Sequence, residues 1–212
     1  MALYEIQKEG RYEVAALLTT VTESYERISM HGVRRALLEA QVESLGIPLE
    51  KVYISKNASN VEYESKMEAL LETYRSKGIR RVGFGDIFLE DLRVYREKNL
   101  ARINMEGIFP IWKRNTMQLV NEFIDLGFEA VVVCIDPKVL DSAFVGRLIN
   151  SDFVKNLPSH VDPCGENGEF HSFVFGGPIF KKSIPIQIGQ KVLRDSFWFC
   201  DLLPVESVNI AG

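Results

Sequence analysis

Residues 12–20 read Tyr-Glu-Val-Ala-Ala-Leu-Leu-Thr-Thr. Aliphatic side chains run through the middle of this stretch without polar alternation, the pattern of a strand covered on both faces, which points to a parallel sheet. Just upstream, Ala2 to Glu9 are good helix formers ending at Gly10, the residue type that most readily takes a left-handed C-cap. No Ser, Thr, Asp or Asn precedes that helix and no strand stands before it, so the chain is expected to enter in mid-motif.

Downstream the rhythm is helix and strand in turn. Val33 to Leu45 reads as a helix stopped by Gly46 and Pro48, Lys51 to Ser55 as a short strand, and Asn60 to Lys77 as a helix stopped by Gly78. Ile79 to Phe84 is the next strand, Ile87 to Asn99 the next helix and Asn104 to Pro110 an extended segment. A helix over Asn115 to Leu126 follows, and Ala130 to Ile135 (Ala-Val-Val-Val-Cys-Ile) reads as the buried strand that closes the series. Such alternation predicts an α/β fold, a mainly parallel sheet with helices on both faces. Beyond Asp136 the texture changes. A helical stretch over Ser142 to Lys155 leads into a Gly/Pro/Asn-rich loop, and then His171 to Phe175, Ile184 to Ile188 and Lys191 to Phe199 read as antiparallel strands. The expected domains are therefore 1–136, an α/β domain, and 137–212, a small C-terminal α+β subdomain.

Composition narrows the function classes. Hydrophobic residues at 46% and charged residues at 25% describe a chain that folds. With 25 basic and 29 acidic side chains the net charge is −4, and no Lys/Arg run is long enough to track phosphates, so nucleic-acid binding is disfavoured. Cys134, Cys164 and Cys200 are widely spaced and form no C-x-x-C pair, which suits a reducing compartment, the cytoplasm by default. No export signal and no membrane-spanning run is legible.

The densest polar cluster is Asp162-Pro163-Cys164-Gly165-Glu166-Asn167-Gly168-Glu169-Phe170-His171-Ser172. Two carboxylates three apart with an imidazole nearby, on a loop freed by two glycines, can orient an amine or ammonia, bind a cation or shuttle a proton. The same composition also describes an ordinary acidic turn. A metal site from His160, Asp162, Cys164 and His171 fits none of the standard zinc spacings, so no metal is expected. Cys164 with His160 or His171 as base is a further alternative to a simply packed cysteine.

Gly83-Phe84-Gly85-Asp86-Ile87-Phe88 lies where a strand passes into a helix, the place where open α/β sheets put ligands. Phe88 replaces the third glycine of a dinucleotide fingerprint. Asp86 is placed either as the helix N-cap or to meet a ribose, a magnesium or an amine. Glu90, Arg93 and Glu97 are spaced for intrahelical pairs, a solvated face, and Lys113 and Arg114 read the same way. His31 and Arg34 open a helix, where free N–H groups favour phosphate or carboxylate; a capping or packing histidine is the alternative reading.

Taken in order, His31-Gly32-Val33-Arg34, Gly83 to Asp91, Gly107-Ile108-Phe109-Pro110-Ile111-Trp112 and Cys164 to Ser172 resemble the diphthine-ammonia ligase family, over residues 1 to about 180. That resemblance implies an N-type ATP pyrophosphatase: a Rossmann-like domain that binds ATP with Mg2+, and a C-terminal subdomain that helps to form the substrate site. It implies adenylation of the carboxylate of diphthine, a modified histidine on elongation factor 2, followed by displacement of AMP by ammonia. Bacterial relatives with similar motifs are expected to act on another carboxylate. The resemblance carries Glu166, Glu169 and His171 over as catalytic candidates, and Gly85, Asp86 and His31 as candidates facing the nucleotide. The partners implied are the carboxylate substrate and ammonia, with no membrane, and a homo-oligomer is one open state.

Two departures stand out. The family's phosphate-binding Ser-Gly-Gly-Lys-Asp-Ser loop, with the strand that carries it, belongs immediately before the helix entered at Ala2, and the 212 residues do not contain it. The neighbouring strands are therefore expected to present an open edge inside the sheet. A non-catalytic relative that binds a nucleotide or another ligand is the competing expectation. The smaller departure is Asn167, where many relatives have Gly, and Ser172, where Thr is common.

Overall fold

A computed structural model describes residues 1–22, 32–55 and 58–205. His31 lies outside the described residues. In chain order the elements are α1 (Ala2–Glu9), β1 (Leu17–Thr22), α2 (Arg35–Leu45), β2 (Leu49–Ile54), α3 (Asn60–Ser76), β3 (Arg81–Gly83) and α4 (Glu90–Arg102). There follow β4 (Glu106–Ile108), α5 (Thr116–Asp125), β5 (Glu129–Ile135), a 3-10 turn at Ser142–Phe144, α6 (Ser151–Asn156), β6 (Phe170–Gly176), β7 (Ile186–Arg194) and β8 (Phe197–Pro204). The chain forms two compact units, Met1–Tyr25 with Pro48–Thr116, and Glu26–Ile47 with Met117–Gly212.

In the first unit α1 ends as its sequence dictates: Gly10 takes φ 69° and its N–H returns to the Ile6 carbonyl. β1 pairs parallel with β2, and β3 pairs parallel with β4. These pairs are separate two-stranded sheets, so the single mainly parallel sheet expected from the rhythm is not assembled among the described residues. The consequence shows in burial. Leu18 of β1 is 36% exposed, and Gly83 and Gly85 are exposed. The strand read over 12–20 begins only at Leu17, since a strand exists only where a neighbour accepts its hydrogen bonds. α3 has no buried residue; polar ties fasten it to β2 and to the residue after it, Tyr74 Oη to Glu50 at 2.6 Å and Ser55 Oγ to Glu62 at 2.8 Å.

The second unit is built on a four-stranded antiparallel sheet ordered β6-β5-β8-β7. β5 is its interior strand, with Ala130 to Ile135 at 0–2% exposure. Burial on both faces was legible from the apolar run, but its partners are antiparallel, so it does not close a parallel series. The two compact units meet in sequence at Thr116 and Met117, and among the described residues β5 pairs with strands that follow it.

Around β5 a chain of edge-on rings, Phe144, Phe153 and Phe170 at 5.8 and 5.5 Å, fills the core. The helix expected over 142–155 is broken: Gly146 takes φ 81°, and Asn150 caps α6 by accepting the Phe153 N–H at 2.9 Å. The segment read as one strand over 191–199 is a hairpin, turning at Asp195 and Ser196 with φ 47° and 69°. α2 belongs to this unit, stitched on by buried Ser44, whose hydroxyl donates to the Lys182 carbonyl at 2.5 Å, and by Gln41, whose amide donates to the Val174 carbonyl at 2.7 Å. No described helix is long and apolar enough to cross a membrane.

Two-stranded pairs are marginal alone, whereas an interior strand opens only with its whole sheet. Native-state hydrogen exchange should therefore find the β5 amides at least about a hundredfold more protected than those of β1 to β4. Equal protection in β1 and β5 would show that the parallel pairs share one cooperative core.

Candidate functional site

The loop from Asp162 to His171 sits between α6 and β6, and its end is pinned by the core. Phe170 is 3% exposed, and the Glu169 carbonyl accepts the Asp136 N–H at 3.0 Å. Gly165 turns at φ 69°, and a side chain there would run into the Phe170 carbonyl, so the turn requires glycine.

Two carboxylates hold this loop closed. Glu169 Oε1 accepts the Asp162 N–H at 2.9 Å and the Asn167 Nδ2 amide at 2.9 Å, and Oε2 accepts the Asn167 N–H at 3.0 Å. Asp162 Oδ2 accepts the N–H groups of Cys164 at 3.2 Å and Glu166 at 3.0 Å. Gly165 N–H goes to the Asp162 carbonyl and Gly168 N–H to the Gly165 carbonyl. Pro163 has no N–H, so each backbone donor from 162 to 168 is engaged inside the loop. A phosphate cradle needs such donors turned outward. This loop instead suits a group that brings its own donors, such as an ammonium.

The candidates of the cluster divide accordingly. Glu169, 4% exposed, points into the loop. Burial raises its pKa, but the Asn167 amide and the backbone N–H groups of Asp162 and Asn167 outweigh that and leave the carboxyl below its ordinary value. Glu166 and His171 are half-buried. His171 stands on β6 opposite Cys134 of β5, and burial lowers its pKa, which favours the neutral imidazole. Burial, then the charges of Asp162 and Glu166, push the Cys164 thiol up to about 12, so the nucleophile alternative loses its thiolate. His160 donates from Nε2 to the Val139 carbonyl at 3.1 Å. Among the described residues no group of three or more His, Cys, Asp or Glu is arranged to hold a metal ion.

The Gly85-Asp86 turn belongs to the first unit, at the C-terminal end of β3. Asp86 is not a helix cap: α4 starts after Leu89, and no side chain caps it. Asp86 is 8% exposed and faces Arg96 of α4, with Nε to Oδ2 at 2.6 Å and Nη2 to Oδ1 at 3.1 Å. The sequence reads the charges of this helix, Arg96 among them, as a solvated, paired face, with anion binding as the alternative. In the structure the Arg96 guanidinium lies 4.5 Å from the Phe84 ring centroid, Phe84 stacks on Phe109 at 5.4 Å, and Arg93 sits 4.6 and 4.7 Å from the Phe109 and Trp112 rings. Arg93 also keeps its expected partner Glu97 at 2.8 Å, while Lys113 and Arg114 pair with Glu90 and Glu5. The signal that was available is the i, i+3 spacing of Arg93 and Arg96, which puts both on one helix face. Arg34, a candidate anion contact, is bound in its own unit by Asp201 of β8 at 3.1 and 2.6 Å.

Residues 1–106 match the diphthamide synthase N-terminal domain and residues 115–206 the diphthamide synthase C-terminal domain. The chain belongs to the diphthamide synthase family. It is 25% identical over 198 residues to the diphthine–ammonia ligase of Rattus norvegicus, covering 90% of this chain and 72% of the relative. The enzyme of the same name from Bos taurus is 26% identical over 189 residues, and that from Homo sapiens 22% over 189, each covering 81% of this chain and 68% of the relative. The break between the two family domains, 106 to 115, falls beside the boundary between the compact units at Thr116.

Replacing buried Glu169 with Gln turns an amide toward N–H donors that need an acceptor. Glu169→Gln should destabilise the fold by ~2–3 kcal/mol near neutral pH, read from urea unfolding. The pH dependence follows from the sign of the shift. A folded pKa below the ordinary 4.5 means the contribution is complete above about 4.5 and is lost as pH falls through the folded value. The variant should show a shallower acid limb than the parent, and identical acid limbs would refute the assignment. Arg96→Met, which strands buried Asp86, should cost ~3 kcal/mol by the same measurement, and a cost below ~1 kcal/mol would mean that Asp86 escapes to water.

Proposed function

We propose that this member of the family is an ATP-dependent amidating ligase. A substrate carboxylate attacks the α-phosphorus of ATP and pyrophosphate leaves; ammonia then adds to the acyl carbon, gives up a proton, and AMP leaves. The observation that carries this reading is the match to both diphthamide synthase domains, together with relatives whose printed name is diphthine–ammonia ligase. The inward-turned N–H groups of loop 162–169 support an amine-facing role for it. In this reading Glu166 accepts from the ammonia N–H groups and His171, favoured as the neutral imidazole, takes the proton released on attack. Glu169 shapes the loop between them. The carboxylate is that of diphthine on elongation factor 2 or of another acceptor.

Gly85 and Asp86, at a strand's C-terminal end, are the proposed nucleotide-facing residues, with His31 kept from the motif that contains it. Mg2+ would accompany ATP and offset the charge of its phosphates. The residues present do not fit a phosphate and metal cradle, since Asp86 is committed to Arg96 and no metal-ligating group forms among the described residues. The second reading, a non-catalytic nucleotide- or ligand-binding relative, draws on the same observation. The free thiols of Cys134, Cys164 and Cys200 fit a cytoplasmic setting.

The 212 residues alone should bind AMP better than ATP and release no pyrophosphate with Mg2+, ammonium and diphthine-bearing elongation factor 2. Fused behind a strand and Ser-Gly-Gly-Lys-Asp-Ser segment, the chain should release AMP and pyrophosphate in equal amounts only when carboxylate and ammonium are both present. A fusion that binds ATP yet turns over no carboxylate favours the second reading. Steady pyrophosphate release by the 212 residues alone would overturn the phosphate-cradle argument.

A further inference from the structure

We infer that Asn167 is a positioning residue: its side chain and its backbone together clamp both oxygens of Glu169, and this fixes the backbone that carries Glu166. The inference rests on the amine-facing reading of the loop.

One residue contacts both ends of one carboxylate. Asn167 Nδ2 donates to Oε1 at 2.9 Å while its own N–H donates to Oε2 at 3.0 Å, a two-point grip that fixes the carboxylate plane. The third donor, the Asp162 N–H, joins the start of the loop to the same Oε1 at 2.9 Å. Glu169 is thereby the hub through which residue 167 holds residue 162, and Asp162 in turn grips the N–H groups of Cys164 and Glu166. Glycine at 167 keeps the backbone donor and loses the side-chain donor. Oε1 then depends on one N–H, and the Glu169 side chain regains rotation about its terminal bond. Glycine on either side of Glu166-Asn167 adds no side chain to restrain the loop there. Of the nearby acidic residues, Asp162 turns its carboxylate to the Cys164 and Glu166 N–H groups. The Asp136 carboxylate is turned to the Lys138 N–H at 2.9 Å.

The test compares the full chain with Asn167→Gly, Asn167→Ala and Asn167→Asp. Three readings are taken: thermal unfolding, hydrogen exchange of the amides at 162, 164, 166 and 167, and the 13C titration of the Glu169 carboxyl. Glycine and alanine should leave the fold intact, speed exchange at 162 and 166 roughly tenfold, and move the Glu169 midpoint up toward the ordinary carboxylate range. Aspartate, which sets like charge against Glu169, should move that midpoint further than either. A merely space-filling Asn167 would leave the midpoint in place, and unchanged exchange and midpoint in both the glycine and alanine variants overturn the inference. A separate titration with methylammonium chloride, against sodium chloride, reads the Glu166 side-chain and amide signals. A parent chain that does not respond refutes the amine-facing reading, while the clamp is decided by the exchange and carboxyl arms.

Discussion

Six consecutive residues, Ala130 to Ile135, are sealed from water, and the second unit is arranged around the need to satisfy their backbone. A strand with no solvent on either face must find hydrogen-bonding partners along both edges; β6 lines one, and on the other β8 pairs with Cys134 and Ile135 while the backbone of residues 146–149 bonds to Ala130 and Val132. The pairing with β6 sets Phe170 opposite Ile135 and His171 opposite Cys134. The entry into β6 is therefore fixed to the ångström by the core, and the polar loop before it starts from an anchored end. Leu202 and Cys200 close the same core from β8, and α2 covers it through Leu37.

From that anchor the loop is organised by charge rather than by packing. Two ionised side chains, Asp162 and Glu169, do inside the loop what a strand ladder does inside a sheet: they accept backbone donors that have no other partner. Burying a carboxylate costs several kcal/mol unless hydrogen bonds replace its water, and Glu169 meets that condition with donors from Asp162 and Asn167. The chemical consequence is directional. A loop whose N–H groups turn inward offers acceptors to its surroundings, and the proposed amine-facing role draws on that polarity.

The first unit solves a different problem with different means. Its parallel pairs are short and half-exposed, and beside them cations and rings are layered, Arg96 on Phe84, Phe84 on Phe109, Arg93 between Phe109 and Trp112. These side chains come from α4 and from the segments that leave β3 and β4. They lock the strand ends where Gly85 and Asp86 lie. Asp86 is held in that layer by a paired guanidinium, so a ligand reaching the turn meets an ion pair rather than a lone carboxylate.

Most helices were legible in the sequence because propensity and stop signals are local: α1 with Gly10, α2 with Gly46 and α3 ending just before Gly78 all lie within a few residues of their reading. The apolar run at 130–135 likewise declared its burial, and the cluster at 162–172 declared a polar loop. What composition along the chain does not contain is the direction of a partner strand or the target of a side chain. The antiparallel setting of β5, the split of the parallel strands into pairs, the turn at Asp195-Ser196 and the inward aim of Glu169 each depend on residues far away in sequence or on loop closure. The same holds for Asp86, whose position at a helix start suggested a cap until Arg96, a helical turn and more further on, took its carboxylate. Local free energy determined which segments became helix or strand and which charges four apart on a helix meet; only the tertiary structure decided the distant pairs, Asp86 with Arg96 and Arg34 with Asp201, because the fold brings their partners within reach.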